Sequence, residues 1–379
     1  MFGRNAWRIG RVGGIEIRID PSWSFIAFLI AYTFYVILET EFPGESTGTT
    51  VVLSIVMAAL FFGSVLLHEL AHSWVAVSRG VEVRGITLFL FGGATHAELE
   101  TETPSSEFVI AVVGPVTSLA IAGMLWAATL AIGDGPLAFA TGRLGWINFA
   151  LAVFNLVPGF PLDGGRLLRS AVWGRTGDLV RATRVASTAG QWVGYLLIAI
   201  GILEVFLLGA LIGGLWLVAI GWFLSQSAQG SFHQLQVKRL LAEVPASRIM
   251  SHHLVGIPAA VTIQEAVDDY FMEHDFNAFP VNEDGETIGL VTLAAIRGVS
   301  RDEWDSTRVT DVSEPLSESC TVGPDDRLDE VVGKLMNGDL RRVVVVDDDR
   351  VIGIISPRDL GHWLERSQQL GLTETRLRR

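Results

Sequence analysis

Two histidines four residues apart, His68 and His72, enclose Glu69 in the run HELAH. On a helix such a pair is separated by about 40° around the axis, so both imidazoles face one way and can chelate one divalent cation. Glu69, one residue along, is placed to reach a water beside that cation. Imidazole and carboxylate donors suit Zn²⁺, and a catalytic zinc site keeps three protein ligands and one open position. The only cysteine is Cys320, which excludes intrachain disulfides and cysteine-built zinc sites. The competing account is a pair of buried histidines hydrogen-bonded to neighbouring helices, with Glu69 as their partner.

The surroundings of these residues argue against that account. HELAH sits near the end of a long apolar run, where three polar side chains in one and a half turns cost several kcal/mol unless they line a cavity or bind something. The whole chain shares this character: 379 residues, 50% hydrophobic and only 18% charged. Spanning about 30 Å of hydrocarbon takes roughly 20 apolar residues in a helix. Segments of that kind run over Ser22–Leu38, Val51–Val77, Phe108–Ile132, Leu137–Val157, Ala189–Leu208 and Leu211–Ser225. Arg4, Arg8, Arg11 and Arg18 precede the first span, whereas the loop ETEFPGESTG after it has no basic residue. The positive-inside rule then puts the N-terminus in the cytoplasm, together with the loop holding Arg166, Arg169, Arg175, Arg181 and Arg184, and six crossings return the C-terminus there. No small-residue cleavage site follows the first span, so it is expected to be retained rather than removed as a signal peptide.

A third ligand is required. Acidic candidates near the membrane are Glu98, Glu100, Asp134, Asp163, Asp178 and Glu204, with His96 as a nitrogen alternative. His72 lies roughly 8 Å from the cytoplasmic end of its span, so Asp134 and Glu204, in the outer half, drop out. Asp163 follows the fourth span within NLVPGFPLDGGRLLRS, where Pro158, Gly159, Pro161, Gly164 and Gly165 break the helix. Irregular backbone at membrane depth is tolerated where it lines a water-filled cavity. The simpler role for Asp163 is to cap the helix that begins near Gly165.

Two further patterns concern the rest of the chain. GIEIRID before the first span and VEVRGITLFLFGG after the second read as strands, which suggests a small sheet at the inner membrane surface; ordinary interfacial loops are the alternative. From about Pro245 an internal repeat appears, FPVNEDGETIGLVTLAAI (279–296) aligning with VVVVDDDRVIGIISPRDL (343–360), so that Gly289 matches Gly353 and Thr292 matches Ser356. Of the 41 acidic residues 26 lie from Glu243 onward, against 14 of the 28 basic ones, and this acidic tail disfavours nucleic acid as a partner.

The tandem repeat resembles a pair of cystathionine-β-synthase (CBS) domains. HELAH in an apolar helix, followed by Asn155 and by Pro161-Leu162-Asp163-Gly164, resembles the site-2 protease family of intramembrane zinc metalloproteases, in its branch with six spans and a C-terminal CBS pair. That resemblance implies zinc bound by His68, His72 and Asp163, with Glu69 as catalytic base and Asn155 holding substrate or stabilising the oxyanion. It implies a polytopic α-helical membrane protein with a small β-sheet and an α/β CBS pair. The expected divisions are residues 1–230 for the membrane-embedded protease, 245–300 for the first CBS domain and 307–366 for the second. The expected partners are the lipid bilayer of the cell membrane and a transmembrane protein substrate, with FLFGGATH (89–96) as a candidate edge for substrate pairing.

CBS pairs commonly bind adenine nucleotides through G-x-x-[ST]-x-x-D. Here Gly353, Ser356 and Asp359 complete that pattern, whereas the first repeat has Ala295 in place of the aspartate. The other account of the tail is a dimerisation or gating module, through which the chain would form a homodimer. The rival for the whole molecule is a CBS-regulated channel or transporter in which the histidines and Asp163 line an ion path.

Overall fold

The computed structural model describes residues 6–81, 83–89, 92–97, 103–242, 244–252, 255–274, 276–317, 320–337, 342–348 and 350–369. It divides into two units, residues 1–233 and 234–379.

The first unit opens with a hairpin, β1 (Trp7–Val12) and β2 (Ile15–Ile19). It continues through α1 (Pro21–Glu41), α2 (Thr47–Ser78), β3 (Val83–Phe89), β4 (Gly92–Ala97), α3 (Pro104–Ile132), α4 (Pro136–Asn155), α5 (Asp163–Thr176), α6 (Leu179–Leu208) and α7 (Leu211–Ala242). Six of these helices, α1 to α4, α6 and α7, are long and apolar enough to cross a membrane. Their starts follow from local chemistry. Asp20 caps α1 through Ser22, Ser46 caps α2 through Thr49, Thr103 caps α3 through Ser106 and Asp178 caps α6 through Arg181. Several helices overrun the apolar windows: α6 begins ten residues before Ala189, in a stretch that includes Arg181 and Arg184, and α7 continues past Ser225 to Ala242.

The small sheet is present, in the order β1-β2-β3-β4. β2 and β3 run parallel, from Glu16 beside Gly85 to Ile19 beside Leu88, joined by the α1–α2 pair. Ile15, Ile86 and Leu88 pack with Leu70 of α2, so the sheet rests on the helix that carries HELAH. β4 is an outer strand; Leu90 and Phe91 of the candidate edge lie outside the described residues, as does the side chain of His96.

The second unit holds two sheets, β5-β6-β7-β8 (Ile257–Pro258, Ala278–Glu283, Glu286–Thr292, Glu314–Pro315) and β11-β10-β9 (Arg350–Ile355, Val343–Asp347, Thr321–Val322). The repeat is preserved at the level of register: Gly289 pairs with Val281 and Gly353 with Val345, each just before a register shift. Thr292 caps the helix Leu293–Arg297, and Ser356 stands at the equivalent place before the helix Pro357–Gln369. The tight turns place Asp284 and Gly285 at positive φ, and Asp348 likewise, a backbone state that Gly and Asp tolerate best.

Candidate metal centre

His68 and His72 project from one face of α2 and are both buried. Asp163 is the first residue of α5, and no side chain caps that helix, so its carboxylate is not used as a cap. Instead Oδ2 of Asp163 lies 3.1 Å from Nε2 of each histidine, and the two Nε2 atoms are 3.2 Å apart. These three atoms form a nearly equilateral triangle. A tetrahedral ion with Zn–N and Zn–O bonds of 2.0–2.1 Å has ligand-to-ligand edges of about 3.3 Å, so the triangle matches one face of such a shell.

The protonation pattern makes the same case. Nδ1 of His72 lies 2.6 Å from the carbonyl oxygen of Ile110, which can only accept, so Nδ1 carries a proton. In the neutral ring Nε2 is then a bare lone pair aimed at a carboxylate oxygen and at a second imidazole. Acceptors converge in this way when a cation, a metal ion or an added proton, sits among them. Nδ1 of His68 is held 2.9 Å from the buried hydroxyl of Ser118. Fixing the outer nitrogen of a ligating histidine orients the ring and sets its tautomer.

Both outer contacts come from α3. Pro115, inside that helix, cannot donate to the carbonyl of Ala111 four residues back, so α3 is one hydrogen bond short in the turn that also holds Ile110. The same helix fixes the Asp163 arm. Glu107, at 0% exposure, accepts from Nε of Arg169 at 2.5 Å and also pairs with its Nη2, while Nε of Arg166 lies 4.0 Å away. Ser170 donates to the carbonyl of Pro104 at 2.8 Å, which ties α5 to the start of α3 a second time. Arg169 also lies over the Phe160 ring, and the Phe160 amide donates to the carbonyl of Ala186 on α6. A Cβ on Gly190 would strike the backbone of Phe160, so this close approach needs glycine there. Burial lowers the pKa of Arg166 from its ordinary value and Arg169 adds to the lowering, against the attraction of Glu107, Asp163 and Glu69.

Glu69 is half-buried beside His68. Asn155 ends α4, and its Nδ2 donates to the carbonyl of Leu151 at 3.0 Å rather than to any of the three converging groups. Asp178 is occupied as the cap of α6. Among the described residues, His68, His72 and Asp163 form the one group of three that could hold a metal ion. What the sequence reading missed is α3: Ser118, the Ile110 carbonyl and Glu107. A proline, a serine and a carboxylate in one apolar segment were the available signal.

In the tail, Asp359 Oδ2 accepts from the Ser356 amide at 2.9 Å and from its hydroxyl at 2.6 Å, and Ser356 Oγ accepts from the Asp359 amide at 3.4 Å. The two side chains serve each other at the start of the helix Pro357–Gln369. Burial lowers the pKa of Arg342 from its ordinary value, with Asp359 opposing the shift.

Comparison with known proteins places the chain in a family. The model of peptidase family M50 matches residues 56–143 and 135–201, and the CBS domain model matches 246–302 and 309–366. A candidate zinc metalloprotease of Synechocystis sp., sll0528, is 36% identical over 97% of this chain and 97% of its own length. The candidate zinc metalloprotease Rip3 of Mycobacterium tuberculosis is 34% identical over 96% of this chain and 93% of its own. A site-2 protease structure from Methanocaldococcus jannaschii aligns at a TM-score of 0.44 with 25% identity, over 60% of this chain and 95% of that one. The chain belongs to peptidase family M50, the site-2 proteases, which are intramembrane zinc metalloproteases, and it carries a CBS pair. Membership of a peptidase family favours hydrolysis over the ion-path alternative.

Proposed function

We propose that His68, His72 and Asp163 hold the zinc ion of this intramembrane endopeptidase, that Glu69 is its general base and that Asn155 steadies the oxyanion. The observation that carries the reading is the triangle of potential ligand atoms at 3.1, 3.1 and 3.2 Å, in which Asp163 meets His72 and His68 across 91 and 95 residues of sequence. A zinc ion held there supplies Lewis acidity, acidifying water near neutral pH and polarising a peptide carbonyl. Glu69 takes the proton of the attacking water and returns it to the leaving amine. The Asn155 amide, now bonded to its own helix, exchanges one carbonyl acceptor for another if it turns to substrate; such a donor is typically worth on the order of 2.7–4 kcal/mol in the transition state.

A transmembrane substrate hides its backbone in its own helical hydrogen bonds and must be unwound before cleavage. β4 supports strand addition as the way to hold it, because an outer strand offers backbone groups that a peptide can pair with. We infer a location in the cell membrane with both termini cytoplasmic, an orientation supported by the distribution of arginines about the spans. The division into a protease domain over 1–230 and CBS domains over 245–300 and 307–366 goes with this reading. For the tail, we infer an adenine nucleotide half-site at Gly353, Ser356 and Asp359, and a homodimer made through the CBS pair. Calorimetry of the full chain with AMP, ADP and ATP in high salt tests the first, and absence of any heat of binding rejects it. A protomer mass in light scattering rejects the second.

The deciding experiment measures zinc content and cleavage of a single-span membrane substrate for the wild type and Glu69→Ala. About one zinc per chain in both, with cleavage only in the wild type, is expected. Cleavage persisting in Glu69→Ala would remove the base from its role.

A further inference from the structure

Gly114 lies midway between the two residues of α3 that fix the histidine rings, four after Ile110 and four before Ser118. These three positions form one stripe along the helix. A Cβ built on Gly114 would overlap Nε2 of His72 and come within 2.7 Å of Nε2 of His68. The obstacle is thus the two histidine rings at their Nε2 ends, with Cε1 of His72 at 2.6 Å as well. Glycines elsewhere in the bundle have a different reason: at Gly194 the Cβ would meet the carbonyl oxygen of Gly221 at 2.6 Å, which is backbone-to-backbone helix packing. Gly123, on the same helix as Gly114, has nothing within 4 Å.

The rings have little freedom to retreat from such a group. Turning His72 away breaks its bond to the Ile110 carbonyl, and turning His68 away breaks its contact with Ser118. An added methyl would therefore force one ring or α3 itself to shift, and with it the close approach of the two Nε2 atoms to Asp163. We propose that α3 is the third wall of the metal centre, an anchor, a gap and an anchor at Ile110, Gly114 and Ser118, and that Gly114 is the positioning residue that keeps the ion's place open. The proposal rests on the zinc reading above and adds a residue that binds nothing itself.

The test uses full-length protein in detergent and reads metal rather than activity. Zinc per chain is measured after equilibration with a slight excess of zinc and removal of the free ion, and the visible spectrum is recorded after replacement with cobalt. Wild type and Gly123→Ala are expected to hold about one metal each with the same cobalt spectrum, whereas Gly114→Ala retains roughly a tenth or less. Zinc and a cobalt spectrum unchanged in Gly114→Ala overturn the proposal and leave the zinc reading standing. A wild type without zinc overturns the zinc reading and the proposal together.

Should Gly114→Ala alone fail to fold, the same substitution is made in a His68→Ala/His72→Ala background, where the obstructing rings are gone. There it is expected to leave the melting temperature unchanged. A loss of folding equal to that in the wild-type background would show that Gly114 serves helix packing, and would overturn the proposal.

Discussion

The two places where this chain gathers chemistry-bearing residues are built on opposite principles. In the membrane unit, His68, His72 and Asp163 come from two helices and turn potential ligand atoms toward one another, while α3 supplies partners for the outer nitrogens. In the tail, Ser356 and Asp359 are three residues apart and hydrogen-bond to one another, with Arg342 as a nearby charge. Burying polar groups without partners is costly; the first arrangement gathers three atoms that one cation could bridge, and the second is a local pair. Spacing alone does not separate the two; the direction in which donors and acceptors point does.

The sharpest way to break the contrast is to remove one proposed ligand. Asp163→Ala takes away the only carboxylate of the triangle and leaves two imidazoles, too few for a catalytic zinc shell. Zinc content is expected to fall to background and cleavage to vanish, with helicity by circular dichroism retained. Retention of zinc in this variant would mean that some other group completes the shell.

Next in size comes the strut between α3 and α5. Glu107 is fully buried, and Glu107→Ala leaves Arg169 with its charge unpaired; breaking a buried pair in this way typically costs about 3–5 kcal/mol. The melting temperature should drop, and zinc retention should weaken with it because α5 carries Asp163. A stability loss with zinc affinity untouched would separate the strut from the site. Ser118→Ala is a subtler change: it removes the partner of His68 Nδ1 without touching a ligand, and outer partners of this kind are typically worth about 10–100-fold in metal affinity. Competition with a chromophoric chelator measures it, and an unchanged affinity would show that the ring is held by packing alone.

These predictions also mark how much was visible beforehand. HELAH announced itself because ionisable groups are rare in an apolar run, and the CBS repeat because its glycines and hydroxyls recur at one spacing. The small sheet followed from alternation in GIEIRID and the apolar strand after the second span. Helix limits were harder: α6 starts at Leu179 because a helix can run on past the hydrocarbon with Arg181 and Arg184 on it, whereas a hydropathy window ends where the charges begin. The α3 wall was hidden for a different reason. Gly114 and Ser118 look like any small residues of a membrane helix, and their meaning lies in what they face. The capping role considered for Asp163 was equally consistent with the sequence; only the direction of its carboxylate speaks against it.

The smallest expected effect lies on the tail side of the comparison. If Ser356 and Asp359 are a local helix-start pair, Asp359→Ala removes the acceptor of the Ser356 amide and hydroxyl. The cost should be that of a lost cap, about 1 kcal/mol, seen as a modest drop in the melting transition of the full chain. Zinc content is expected to stay at the wild-type value, because the residue is remote in role from the metal ligands. The same variant sharpens the nucleotide question. Asp359 is already engaged by Ser356, so a ribose must compete for its oxygens, and binding that depends on Asp359 has to rearrange this pair. Nucleotide heats that are present in the wild type and absent in Asp359→Ala would show that the rearrangement occurs. Heats that survive the substitution would leave Asp359 with a structural role alone and move any nucleotide to other residues of the CBS pair.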